Sequence, residues 1–140
     1  MRVFVTGGAG YVGSHCVRHL LEHGHQVCVY DNLIFGHRAA VPDGVRFIEG
    51  DLNDTPRLDD ALAGERYDAV MHFAAFAYVG ESVHEPLKYY LNNLANTLNL
   101  LEAMKRFGIG RIVFSSSCAT YGCPEQIPIT EDTPQVPINP

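Results

Sequence analysis

The sequence lacks the features that mark several large classes of protein. Its 140 residues carry 16 acidic and only 10 basic side chains, so they offer no basic stripe for a nucleic acid. Its apolar runs have the length of strands and are too short to cross a membrane. Its first residues show no basic head followed by a long apolar stretch, which predicts no signal peptide. We therefore expect a cytoplasmic protein with neither nucleic acid nor membrane as a partner.

Paired cysteines are also missing. The four cysteines form no CxxC pair and no Cys/His spacing typical of zinc. In a cytosolic protein they are expected to be small free thiols, buried or half-buried. No metal site is predicted.

What the sequence does contain is a regular alternation of strand and helix patterns. Strands are predicted at 2–6, 26–30, 45–49, 68–75 and 111–116, and helices at 11–23, 55–63 (with Thr55 as N-cap) and 86–107. In the last helix the side chains expected to be buried are Leu87, Leu91, Leu94, Leu98 and Leu101. Strands separated by helices favour right-handed crossovers in a parallel sheet. The prediction is one α/β domain over residues 1–140, a doubly wound (Rossmann) fold.

The strongest functional signal follows the first strand. TGGAGYVGSH contains the pattern G-x-G-x-x-G, from Gly8 to Gly13, between a predicted strand and a predicted helix. Glycines here let a pyrophosphate approach the backbone, and the free N–H groups at the helix start stabilise its charge. Asp31 closes the second strand eighteen residues after Gly13 and would accept hydrogen bonds from ribose hydroxyls. Because this carboxylate would repel a 2′-phosphate, the pattern predicts a site for NAD rather than NADP.

Two further segments suit a dinucleotide that lies across the strand ends. Asp51, with Leu52 beside it, follows the third strand, where a carboxylate can accept a hydrogen bond from the adenine amino group. Phe73, Ala74 and Ala75 end the fourth strand, and the small residues among them let a cofactor pass over the backbone. Alone, these segments are more typical of structure than of binding. Beside the glycine loop they are predicted to belong to the site.

Seven segments occur in an order and spacing that resemble the extended short-chain dehydrogenase/reductase superfamily, and within it the UDP-glucose 4-epimerase family. They are TGGAGYVGSH, DNL (31–33), GD (50–51), HFAA (72–75), VGES (79–82), YYxNN (89–93) and SSSCATYG (115–122). The resemblance covers essentially the whole chain. It implies reversible oxidation at carbon 4 of a UDP-sugar such as UDP-glucose or UDP-galactose, in which NAD takes up and returns a hydride and a tyrosine phenolate removes the hydroxyl proton. It also implies that the intact protein is a homodimer.

The resemblance assigns roles to individual residues. Implied cofactor contacts are Gly7, Gly10, Tyr11, Val12 and Gly13 at the pyrophosphate, Asp31 and Asn32 at the adenosine ribose, Asp51 and Leu52 at the adenine, and Phe73, Ala74, Ala75, Asn92 and Ser115 on the ribose and nicotinamide side. Ser117 falls on the superfamily's active-site serine or threonine and is the implied catalytic residue. Its structural alternative is a serine that caps a turn. One departure is Ala77, which stands where some members carry a lysine near the cofactor.

Two alternatives stay open. The first is another nucleotide-sugar enzyme of the superfamily: a pentose or uronate epimerase, a decarboxylase or a dehydratase. Dehydratases place an acidic residue after the hydroxyl residue, where this chain has Cys118-Ala119-Thr120, which disfavours dehydration. The second is a non-catalytic NAD-binding module, against which the intact segment around Ser117 argues.

The superfamily's catalytic Tyr-x-x-x-Lys is not found in these residues. None of the seven tyrosines is followed by a lysine four positions later. We therefore expect an N-terminal fragment that stops before the helix bearing that motif and before a C-terminal substrate domain. Such a fragment is expected to be inactive by itself.

Overall fold

The computed structural model describes all 140 residues. Its centre is a five-stranded sheet in the order β3-β2-β1-β4-β5, and every neighbouring pair is parallel. The strands are β1 (Arg2–Thr6), β2 (Gln26–Asp31), β3 (Arg46–Glu49), β4 (Ala69–His72) and β5 (Ile112–Phe114). The helices are α1 (Tyr11–Glu22), α2 (Thr55–Ala63), α3 (Val79–His84), α4 (Pro86–Tyr89) and α5 (Asn96–Arg106). The predicted doubly wound α/β fold is confirmed.

The apolar core lies on both faces of the sheet because alternate residues of each strand point to opposite sides. On one face Val3 and Val5 of β1 pack with Val17 of α1. On the other face Phe4 packs with residues of α2 and α5, including Leu58 and Leu100. Burial on both faces explains why the strands read as continuous apolar runs.

The fourth strand ends three residues earlier than predicted. It pairs with β1 only as far as His72, opposite Thr6. One more bond follows, from the Phe73 N–H to the Thr6 carbonyl at 2.9 Å. Beyond Thr6 the neighbouring chain turns into the glycine loop, so residues 73–75 lie outside the strand, at the edge of the site.

The helix predicted over 86–107 is present, but the prediction of its buried face is wrong. The segment consists of α4, a π-helical turn over Tyr90–Ala95, and α5. Residues Leu100, Ala103 and Met104 of α5 face the sheet and are buried. The five leucines expected in the core are 41–70 % exposed: Leu87, Leu91, Leu94, Leu98 and Leu101, here called the leucine row. The helix thus has two apolar faces, and only one of them meets the sheet.

Smaller expectations also change. Asp54, not Thr55, caps α2, since its Oδ1 accepts a hydrogen bond from the Arg57 backbone N–H at 3.1 Å. All four cysteines are free, and Cys28 is buried as expected, but Cys118 and Cys123 are exposed because they lie on a surface turn. Strand β5 is a sheet edge whose three residues all face solvent. No helix is both long enough and apolar enough to cross a bilayer.

Candidate functional site

Two adjoining clefts lie at the carboxyl ends of the strands, where ligands bind in open α/β sheets. The first, of about 590 Å³, is lined by the glycine loop and by residues that follow β2 and β3. The second, of about 1160 Å³, is lined by residues that follow β4 and β5. Both clefts share residues 73–76, which form the boundary between them.

The glycine loop is shaped so that two of its glycines cannot carry a side chain. Gly7 has a φ of +73°, and a Cβ there would lie 2.5 Å from the backbone nitrogen of Ala74. A Cβ on Gly13 would collide with the carbonyl oxygen of Gly7. Helix α1 can therefore start close against the loop, with Gly10 as an N-cap that has no side chain. The free N–H groups of the first turn remain available to an anion.

Asp31 is buried at the end of β2, where its carboxylate accepts two hydrogen bonds from the backbone. Its Oδ2 accepts a hydrogen bond from the backbone N–H of Ala9 in the glycine loop, at 2.9 Å. Its Oδ1 accepts one from the N–H of Leu33, also at 2.9 Å, in a turn where Leu33 has a φ of 59°. Since each carboxylate oxygen has two acceptor positions, one remains on each oxygen for a ligand hydroxyl.

Asn32 and Asp51, predicted as ribose and adenine contacts, lie side by side. The Asn32 Nδ2 donates a hydrogen bond to Asp51 Oδ2 at 2.7 Å. The other oxygen of Asp51 accepts from the Asn53 N–H at 3.0 Å, and the Tyr30 hydroxyl donates to the Asp51 carbonyl at 2.9 Å. Burial of Tyr30, aided by nearby carboxylates, raises its pKa. The carboxylate is thus fixed in the cleft before any ligand arrives.

Residues 73–76 are held from the helix side. The side chain of Asn93 accepts a hydrogen bond from the Phe76 N–H at 2.8 Å and donates one to the Phe76 carbonyl at 2.9 Å. Asn92 Nδ2 donates to Asn93 Oδ1 at 2.9 Å. Both asparagines belong to the π-helical turn, a feature frequent at functional sites.

A buried hydrogen-bond chain runs beneath the second cleft. Thr97 donates its hydroxyl to the Asn93 carbonyl at 2.6 Å, so it accepts from His72 Nε2, which lies 2.8 Å away. His72 Nδ1 is then the unprotonated nitrogen, and it accepts from the Thr6 hydroxyl at 2.6 Å. Burial lowers the pKa of His72 to about 4. The imidazole is therefore neutral and links β1, β4 and α5.

The serines at the end of β5 line the second cleft and are exposed. The Ser115 N–H continues the sheet by donating to the His72 carbonyl at 3.0 Å. Ser117 Oγ accepts from the Ala119 N–H at 3.1 Å and so caps the turn Cys118–Tyr121. Its hydroxyl hydrogen is not used in that bond and remains available to a ligand. The capping role and a catalytic role are therefore compatible.

The structure brings most of the predicted residues together, with two exceptions. The first cleft contains Gly7, Gly10, Asp31, Asn32, Asp51, Leu52, Phe73, Ala74, Ala75 and Asn92, and the second contains Val12, Phe73, Ala74, Ala75, Ser115 and Ser117. Tyr11 is 84 % exposed, with its ring against His15, and lines neither cleft. Gly13 is buried behind the loop and lines neither cleft.

Sequence reasoning missed several cleft residues. Phe35, Gly36, Phe76 and Asn96 line the first cleft, and His72, Asn93 and Thr97 line the second. The sequence signal that could have found Phe35 is its place in the loop directly after Asp31. For His72 it is a polar residue at the end of an otherwise apolar strand.

The charged side chains that line the clefts are all acidic. Asp31 and Asp51 line the first cleft, and neither cleft is lined by a lysine or an arginine. An anionic group bound here would have to be stabilised by the backbone N–H groups at the start of α1. The two carboxylates suit hydroxyl and amino donors. The fold and the clefts together are typical of doubly wound dinucleotide-binding domains.

Comparisons with known proteins identify the group within that class. Residues 3–140 match the model of the NAD dependent epimerase/dehydratase family. The chain belongs to this family, which confirms the resemblance noted in its motifs.

Individual relatives agree with this assignment. The chain is 54 % identical over 140 residues to a UDP-glucose 4-epimerase of Lacticaseibacillus casei, covering 100 % of this chain and 42 % of that protein. It is 50 % identical over 147 residues to UDP-arabinose 4-epimerase 1 of Arabidopsis thaliana, covering 99 % and 35 %. A crystal structure of UDP-glucose 4-epimerase from Brucella ovis in complex with NAD superposes with a TM-score of 0.94 at 48 % identity, covering 99 % and 42 %. The chain thus spans less than half the length of these relatives.

Proposed function

We propose that the chain is the cofactor-binding part of an NAD-dependent nucleotide-sugar 4-epimerase that interconverts UDP-glucose and UDP-galactose. The observation that carries this proposal is the pair of adjoining clefts. One has a glycine loop and two carboxylates suited to an adenosine and its pyrophosphate, and the other has the hydroxyls of 115–117. The relatives named as 4-epimerases support the same reaction.

The residues of the chain would divide the work as follows. The glycine loop and the first turn of α1 would hold the pyrophosphate, and the fixed carboxylates of Asp31 and Asp51 would hold the adenosine. NAD, when bound, supplies reversible uptake and return of a hydride. Ser117 would hydrogen-bond the sugar hydroxyl and help carry its proton. We propose that the general-base tyrosine and its lysine lie outside these 140 residues.

The sugar half of the substrate is chosen by comparing the relatives. A 54 % match to a UDP-glucose 4-epimerase and a 50 % match to a UDP-arabinose 4-epimerase differ little. Cys118-Ala119-Thr120 carries no acid that would favour dehydration. We therefore choose epimerisation of UDP-glucose and UDP-galactose, with a pentose epimerase as the second candidate.

The test is turnover of UDP-galactose by the full-length protein with NAD, read as UDP-glucose formed. UDP-arabinose, run in parallel, identifies the second candidate. Residues 1–140 alone are the matched control, and we expect them to be inactive. NAD binding without conversion of any UDP-sugar by the full-length protein would favour the non-catalytic module and contradict the proposal.

We further propose that the full-length protein is a homodimer that covers the leucine row. The row has intervals of 4, 3, 4 and 3 residues, the spacing of helix-pairing seams. Leu94→Glu with Leu98→Glu should yield a monomer in sedimentation, whereas Asp60→Lys, at an exposed residue of α2, should not. A dimer that persists in the double variant contradicts the proposal that the leucine row is the dimer interface.

A cytoplasmic location is likewise proposed, and localisation of the tagged protein would test it.

A further inference from the structure

Three aromatic side chains meet at the mouth of the first cleft. The ring of Phe35 lies 5.4 Å from that of Phe76 at an interplanar angle of 81°, and 5.3 Å from that of Tyr78 at 87°. Both are edge-to-face contacts, the geometry that aromatic pairs favour. Phe35, Phe76 and Tyr78 are called the aromatic clasp below.

The clasp joins two sides of the site. Phe35 stands on the loop after β2, and Phe76 and Tyr78 stand on the loop after β4. These strands flank β1, whose carboxyl end leads into the glycine loop. Since Phe35, Phe76, Gly7 and Gly10 line the same cleft, the aromatic contact bridges that cleft beside the glycine loop.

One side of the clasp is fixed. The backbone of Phe76 is bound in both directions by the Asn93 side chain, at 2.8 and 2.9 Å. Its ring packs on Tyr89 at 5.8 Å, and the Lys88 ammonium lies 5.2 Å from its centroid. Glu81 holds both neighbours, accepting from the Tyr89 hydroxyl and from Lys88 Nζ at 2.7 Å.

The ring on the other side is less enclosed. The loop is anchored on both sides of Phe35, since Asn32 Nδ2 donates to Asp51 Oδ2 at 2.7 Å and the His37 N–H donates to the Ala9 carbonyl at 2.9 Å. The Phe35 side chain itself is 48 % exposed. Rotation of this side chain would therefore open the aromatic contact without moving the loop or the core.

We propose that the aromatic clasp closes over the bound dinucleotide and slows its exchange. The inference rests on the proposed function. A dinucleotide that reaches from Asp31 in the first cleft to Ser117 in the second must pass the shared boundary at residues 73–76. It therefore passes the clasp, which has to part for the ligand to enter or leave.

The test is stopped-flow fluorescence of NADH with the full-length protein, in which bound NADH is displaced by excess NAD⁺. Phe35→Ala removes both edge-to-face contacts and should raise the association and dissociation rate constants about tenfold each. Phe35→Tyr keeps the ring and should exchange at the original rate. Phe107→Ala is the control, because Phe107 lies beyond the end of α5 and outside both clefts.

The outcomes separate the clasp from other roles. A Phe35→Ala dissociation rate within a factor of two of the original overturns the proposal. If Phe35→Ala binds NADH faster but releases it at the original rate, the proposal is also overturned. The rings would then hinder entry into the empty cleft without retaining the bound ligand. If the unaltered protein binds no NADH, both the proposed function and the clasp proposal are wrong. If it binds NADH but Phe35→Ala exchanges it at the original rate, only the clasp proposal is wrong.

Discussion

The two ends of the site are built in different ways. At the first cleft, beside the interior strand β2, Val29 and Tyr30 are at most 1 % exposed, and the carboxylates beside them are hydrogen-bonded within the chain. At the β5 end, Val113 and Phe114 are 55 % and 57 % exposed, and Ser115–Ser117 lie on the surface. The first cleft is therefore preorganised by this chain alone. The second is lined by these exposed serines together with helix residues such as Asn93 and Thr97.

This difference follows from where the partners of each residue lie. The two carboxylates of the first cleft are fixed by contacts among residues 9–53. The serines of the second cleft have only the turn that follows them and the edge of β4. Under the proposed function, cofactor recognition would be a property of these residues, and catalysis would need further groups as well. Four substitutions test this division.

The largest effect is expected at the exposed end. In the full-length enzyme, Ser117→Ala should lower turnover by roughly two to three orders of magnitude, the effect of losing one positioned hydrogen-bond donor. Cofactor affinity should hardly change, since the first cleft supplies it. Steady-state kinetics with NAD titration measures both. Ser116→Ala is the matched control, and a Ser117→Ala rate within a factor of three of the original would leave Ser117 with only its capping role.

The second prediction concerns the preorganised end. Gly13→Ala places a methyl group against the Gly7 carbonyl, and an overpacked contact of this kind costs about 1–3 kcal/mol. Because the strain falls on the glycine loop, NAD affinity should drop by up to about a hundredfold. Calorimetric titration measures it. Gly80→Ala, where an added Cβ meets nothing within 4 Å, should bind like the original. Equal affinities for the two variants would show that the loop tolerates displacement.

The same division explains what could be predicted from the sequence. The strands, the glycine loop and the place of Asp31 follow from local patterns, because each depends on a few neighbouring residues. The leucine row shows the limit, since periodicity identifies an apolar face but not whether that face meets the sheet. The contacts between Phe35 and Phe76, and between His72 and Thr97, join distant segments, so the pattern of one segment does not identify its partner in the other.

The third prediction tests how Asp31 selects its ligand. The unaltered protein should bind NAD more tightly than NADP, since a 2′-phosphate would approach a buried carboxylate. Asp31→Ala should weaken NAD binding by about 1–3 kcal/mol, as expected for a lost charge-assisted hydrogen bond. Fluorescence titration with NADH and NADPH at fixed ionic strength measures the ratio.

The control for Asp31 has to allow for its structural bonds. Its carboxylate also holds the N–H groups of Ala9 and Leu33, so the melting temperature must be recorded for each variant. Asp31→Asn retains an acceptor oxygen and removes the charge. This variant should reduce the preference for NAD over NADP, and it should lose less stability than Asp31→Ala. Tighter binding of NADP by the unaltered protein would contradict the role of Asp31.

The smallest effect is expected at the join between the two ends, where neutral His72 links β1 to α5. Because burial lowers its pKa from 6.5 to about 4, the unfolded chain binds a proton first as the pH falls. The contribution of His72 is complete above pH 6.5 and declines below it. Between pH 7 and 5.5 the free energy of unfolding should fall by about 1 kcal/mol.

Urea denaturation at the two pH values measures this fall. The His72→Asn variant should be less stable than the original at both pH values, but it should lack the fall in unfolding free energy that is due to His72. His84→Asn, at an exposed histidine, should keep the slope. A slope that survives in His72→Asn would mean that the imidazole is not the group that titrates.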